Sequence, residues 1–178
     1  MSGLVNVVGE TQSGKINAQA GLPGSIIQVS ADTSGTTRTN IDQGNDAWRD
    51  TVVTATFTPL YSNSDVIINS YFTVYTNNTT GDLGFVNRYK QVISGGATSY
   101  PTSLALGISS GSYGSGYWNG YTGELHWPIT HVLIDSPATT SEITYTLQGS
   151  EYNAEGINVG AGQGNVGRWH MWFMEVKR

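Results

Sequence analysis

Three histidines, His126, His131 and His170, and a run of carboxylates, Asp42, Asp46 and Asp50, are the residues whose types could hold a metal or move a proton. On a strand His126 and His131 point to opposite faces, because an odd separation reverses the side chain, so the two cannot share a metal without a bulge. His170 stands among aromatic residues, where a histidine near an oligomer axis can pair or coordinate across subunits. No HExxH, paired histidine and carboxylate set or calcium loop occurs, and the chain has no cysteine for thiolate chemistry or disulfides. The carboxylates recur at intervals of four in the polar stretch IDQGNDAWRD. A glycosidase pair or a cation site is one reading of them. A solvated loop, with weak surface pairs among Asp46, Arg49 and Asp50 and with Trp48 tucked against the protein, accounts for the same residues. No serine sits in a GxSxG turn, and no glycine-rich loop leads into a lysine and a helix. These absences predict no enzyme, no metal and no cofactor.

The stretch Gly107 to Gly123, GISSGSYGSGYWNGYTG, has a different character. Tyr113, Tyr117, Trp118 and Tyr121 stand among serines and glycines, the mixture with which binding loops present rigid aromatic area on an adaptable backbone. Such a loop suits a glycan or a protein partner. It equally suits a long loop whose aromatics pack on the body of the protein or against the next subunit.

The elements that must position these residues are legible from composition. At 178 residues and 19.1 kDa the chain has the size of one ordinary domain, large enough for a single core. Charged residues are 12%, half the usual share, while Gly (23), Ser (18) and Thr (21) dominate. Helix surfaces are written in Glu, Lys, Arg and Ala, which are scarce here, so an all-β protein is expected. The net charge is -5 and the eight Lys and Arg never cluster, which excludes a nucleic-acid footprint. No apolar run approaches a membrane span, and the N-terminus lacks both parts of a signal peptide, which predicts a soluble protein made without export.

Period-two patterning runs from residue 25 onward. Strands are expected at Ser25 to Ser30, Thr51 to Pro59, Asp65 to Tyr75, Leu83 to Ile93, Leu125 to Ile134, Glu142 to Tyr152 and Arg168 to Lys177, with weaker ones near Ser103 to Ile108 and Ile157 to Val159. Ala31 to Asn40 reads as a polar loop and TNNTTGD as a hairpin connection. Regular short strands with frequent turns predict an antiparallel sandwich or barrel of about eight to ten strands. The last strand, RWHMWFMEVK, is apolar on both faces, with Trp169, Met171 and Phe173 on one and His170, Trp172 and Met174 on the other. Cover on both sides requires a core and a second layer, and a neighbouring subunit is the economical source of the second. The candidate oligomer interface is therefore Trp169, His170, Met171, Trp172, Phe173 and Met174; the alternative is a central strand covered by the chain's own loops. Residues 1 to 24 lose all periodicity after Leu4, Val5, Val7 and Val8 and read as an extended docking arm, or as a segment folded back on its own domain. The strand-bearing domain then spans residues 25 to 178.

Three segments carry a resemblance. The run VVTATFTPLYSNSDVIINSYFTV resembles the strand, TP-S-S turn and second strand of a family of small jelly-roll domains in tailed-bacteriophage virion proteins, notably those of marine and cyanobacterial phages. Asp65 stands where that family's turn usually carries lysine. HVLIDSPATTSEITYTLQGSEYN is similar to the family's LDSP-TTS-TY-LQ hairpin, and the terminal WFMEVKR to its closing LMEI strand. The resemblance, from about residue 25 to the end, implies an antiparallel jelly roll assembled as a homotrimer, with C-terminal strands near the axis as in the tumour necrosis factor architecture. It also implies a virion exterior location after synthesis in the bacterial host cytoplasm, and partners among virion proteins: the major capsid protein or a tail or fibre component. A trimeric capsid decoration or cement protein anchored by its arm is the leading expectation. A tail or head fibre tip that recognises a host surface glycan is the alternative.

Overall fold

The computed structural model describes residues 23–41, 47–106, 116–152, 156–161 and 168–178. Among them lie ten strands: β1 (Ile26–Val29), β2 (Thr33–Gly35), β3 (Arg38–Asn40), β4 (Arg49–Phe57), β5 (Ser64–Ile93), β6 (Thr98–Ser99), β7 (Gly116–Asp135), β8 (Ile143–Tyr152), β9 (Asn158–Gly160) and β10 (Trp169–Lys177). A 3-10 turn covers Thr102–Leu104. Every pairing is antiparallel. The fold is an all-β, jelly-roll-like sandwich.

Its axis is the ribbon of β5 and β7, paired from Val66 with Asp135 to Phe85 with Gly116. The first half of β5 pairs with β10, and its second half with β8, which carries β4 beyond it. One layer therefore runs β1 or β2, β10, β5 and β7 from edge to edge, and the other runs β4, β8 and β5. The expected hairpin at TNNTTGD does not exist: the segment is strand, and β5 continues through it. Its turn-forming residues coincide with register shifts between Asn78 and Gly81 and between Gly81 and Asp82. Irregularities of this kind let a long ribbon bend from one layer to the other, so the same residue types serve a bulge instead of a turn. The expected polar loop at Ala31 to Asn40 likewise contains β2 and β3, and the weak strand near Ser103 is the 3-10 turn.

Alternation sets the core. In β4, Val53, Ala55 and Phe57 are buried; in β5, Val66, Ile68, Phe72 and Val74; in β10, Trp169, Met171 and Phe173. Phe173 sits between Phe57 and Tyr145, with ring centroids 5.2 and 5.3 Å away, so it joins β10 to the opposite layer. Gly35 faces the Trp169 indole so closely that a β-carbon there would lie 2.6 Å from its Nε1, which explains a glycine on β2.

Candidate assembly face

Strand β10 sends Trp169, Met171 and Phe173 into the chain's own core. These three expected interface residues are therefore unavailable to a neighbour, because inward positions of a sandwich strand are covered by the facing layer. His170, Trp172 and Met174 point the other way and are half-buried. The register continues their row across four strands: Val29 beside Met174, Met174 beside Ile67, and Ile67 beside Ile134. The next row sets Trp172 beside Asn69 and Asn69 beside Val132; the one after sets His170 beside Tyr71. On this face Val132 is 65% exposed and Ile134 56% on β7, and Val29 48% on β1, so large aliphatic side chains stand uncovered at both edges of one face.

Charge on this face is self-contained. Asp32 Oδ2 and His170 Nδ1 are 2.6 Å apart at the β2 edge. At the far end Asp65 accepts from Ser136 Oγ at 2.6 Å and from Arg178 Nε at 2.6 Å, and these partners hold its carboxyl below the usual range. Beside the first pair, Val29, Ser30, Asp32, His170 and Trp172 line an open cleft of about 380 Å³.

The opposite layer presents a different surface. Thr54, Thr56 and Thr144 point outward there, with Asp50, Arg88 and Lys90 farther along. Burial would raise the Asp50 pKa, but hydrogen bonds from Lys90 and Gln148 outweigh that and leave it lowered. The Arg88 guanidinium lies between two rings, 4.2 Å from the Trp48 centroid and 4.0 Å from that of Tyr100, and donates through Nε to Gln148 Oε1 at 2.8 Å. Trp48 thus packs against the body through Arg88. Asp42 and Asp46 lie outside the described residues.

The ends of the three motif segments meet below the apolar face. Glu175 of WFMEVKR is fully buried on the inward side of β10. Its carboxylate accepts from the backbone N–H of Leu60 at 2.8 Å and of Tyr61 at 2.9 Å, from Ser64 Oγ at 2.5 Å and from Gln28 Nε2 at 2.7 Å. One side chain thereby fixes the TPLYSNS turn to the last strand. Asp135 of HVLIDSP accepts from Tyr145 OH at 2.7 Å and from Gln91 Nε2 at 2.5 Å, and burial raises its pKa. Every one of these bonds has a structural use, so the motif residues act as locks of the fold.

His126 and His131 lie on opposite faces of β7, the first exposed and the second buried. His131 Nδ1 is 3.1 Å from Tyr89 OH, which also bonds Ser70 Oγ, while its Nε2 is buried without a hydrogen bond. Among the described residues no three His, Asp or Glu come together as a metal site. Tyr117 is 41% exposed at the start of β7; Trp118 and Tyr121 lie on that strand, with side chains outside the description, and Tyr113 lies outside the described residues. The arm residues Leu4, Val5, Val7 and Val8 are also outside them.

Sequence reasoning missed Val29, Ile67, Val132 and Ile134. The signal was present: VII at 66–68 and VLI at 132–134 place apolar residues on both faces, the same pattern that drew attention to β10. The chain matches no known family model and no curated protein sequence.

Proposed function

We propose that the chain is a non-enzymatic structural protein that works as one subunit of a larger assembly, a homotrimer on the exterior of a tailed-phage virion. The observation that carries the assembly role is the apolar outer face spanning β1, β10, β5 and β7, whose carboxylates Asp32 and Asp65 already have partners on the chain itself, His170 and Arg178. A surface of that kind gains by leaving water and demands no countercharge from its partner. The virion location rests on the resemblance of the three motif segments, and capsid decoration on the absence of any shaft repeat in the sequence.

Light scattering tests assembly, and imaging of the intact particle tests location. Val132→Lys is expected to weaken self-association by roughly tenfold or more, the factor that burying one aliphatic side chain supplies. Its melting temperature should stay within a few degrees of the parent's, because Val132 is 65% exposed. A parent protein that remains monomeric at micromolar concentration would overturn the assembly reading. Copies at capsid three-fold positions support decoration, and copies confined to the tail exclude it.

The second reading, a glycan-binding fibre tip, draws on the 41% exposure of Tyr117 beside the aromatic segment. Under it, Tyr117→Ala with Trp118→Ala abolishes binding to host surface glycan and leaves the oligomer intact. Loss of the oligomer with glycan binding retained would exclude recognition by this segment.

A further inference from the structure

The cleft and the most exposed aliphatic side chains occupy opposite edges of one face. Val29, Ser30, Asp32, His170 and Trp172 line the cleft on the side of β1 and β2, while Val132 and Ile134 stand on β7. The strand order β1, β10, β5, β7 puts three strand spacings, about 14 Å, between them. Among the described residues β7 takes β5 as its one strand partner. We infer that the Val132 and Ile134 ridge of one copy seats in the Val29 and Trp172 cleft of a second copy. This contact deepens the assembly reading and rests on it.

Three features select a second copy as occupant. The cleft walls are an aliphatic side chain, an indole and a hydroxyl, and its one carboxylate, Asp32, has Oδ2 2.6 Å from His170 Nδ1, so it asks for an uncharged, branched apolar group. The same face supplies such groups at its other edge, 65% and 56% exposed. Next to Val132 and Ile134 the outward residues of β7 are Thr130, Pro128 and His126; the carboxylate of that row, Glu124, lies eight residues before Val132 and accepts from Tyr75 OH at 3.4 Å, outside the proposed contact. Donor and acceptor surfaces at opposite edges of one face also leave each copy with an unused half after a single contact, the condition for closing a ring.

The chain has no cysteine, so introduced pairs report contacts without interference. In the full chain, Val29→Cys with Val132→Cys is expected to give chain-to-chain disulfides under mild oxidation. Each single variant should give little or none. Within one copy the two sites are too far apart, since a disulfide needs α-carbons within about 7 Å. Covalent species that stop at three chains support the contact and the trimer together. Covalent dimers support the contact and overturn the trimer. A trimer by light scattering that the double variant fails to cross-link overturns the contact and leaves assembly standing. Efficient cross-linking by Val132→Cys alone places like edges together and overturns it as well. Both sites are exposed, and a circular dichroism spectrum and melting temperature matching the parent confirm that the variants are folded.

Discussion

Glu175→Ala is expected to lower the unfolding free energy by about 2–4 kcal/mol, because several hydrogen bonds to one buried carboxylate are lost together. The carboxylate is fully buried and receives four donors. Two of these have other acceptors: Gln28 Nε2 also donates to the Thr58 carbonyl at 2.8 Å, and Ser64 Oγ can donate to the Tyr61 carbonyl at 2.8 Å. The N–H groups of Leu60 and Tyr61 lose their acceptor as well, and a donor left without one costs up to about 1–3 kcal/mol where water does not reach it. The change also frees the turn between β4 and β5 from β10, which exposes apolar surface around it. Glu175→Gln keeps the shape and one acceptor but turns an NH₂ toward the remaining donors, so it should lose about half as much. Urea titration checks both, with the midpoint falling while the slope is kept; the corresponding drop in melting temperature for Ala is roughly 10 °C. A loss under about 1 kcal/mol for Ala would mean that water replaces the carboxylate and that the turn holds itself.

The contrast between Glu175 and the failed hairpin at TNNTTGD says which parts of this molecule local sequence encodes. Alternation in β4 and in the first half of β5 is a property of each segment alone, and it puts Val53, Ala55 and Phe57, and Val66, Ile68 and Phe72, inward. The course of β5 through Asn77 to Asp82 depends instead on β7, whose partner residues lie 37 to 47 positions away and whose pairing carries turn-forming residues across a bend. Glu175 bonds residues 111 to 147 positions distant, so nothing near WFMEVK reveals its partners. Its place was readable nonetheless: it continues the inward series Trp169, Met171, Phe173, and a lone carboxylate at an inward position must find donors. The candidate face was half legible for the same reason. Two-sided apolarity in β10 flags a covered strand but cannot say which face the protein itself covers, and that division separates Phe173 from Trp172.

The second large effect is a loss of stability on acidification that belongs to His131. Burial disfavours the imidazolium and pushes the pKa down from 6.5 to about 4, as expected of a ring packed edge-on against Phe72 and Tyr89 with Nε2 lacking any acceptor. The unfolded chain therefore binds a proton that the folded chain refuses. Stability is full above about pH 6.5, falls as pH drops toward 4 and levels off below, and the total is about 3 kcal/mol at 1.36 kcal/mol per pH unit. Other shifted carboxyls are separable. Asp50 and Asp65 have lowered pKa values, so their contributions disappear only below the ordinary carboxyl value of 3.8. Asp135 has a raised one, so the folded state takes up its proton more readily and acidification stabilises it, opposite in sign to His131. His131→Phe keeps a ring in the site, leaves Tyr89 OH its bond to Ser70, and removes the titration. Stability measured by urea titration at half-unit steps from pH 7 to pH 4 should fall steeply for the parent and stay flatter by about 3 kcal/mol for His131→Phe. Parallel curves for the two proteins would show that the site admits water or opens to solvent, because only a hydrated imidazole can accept its proton without opposing the fold.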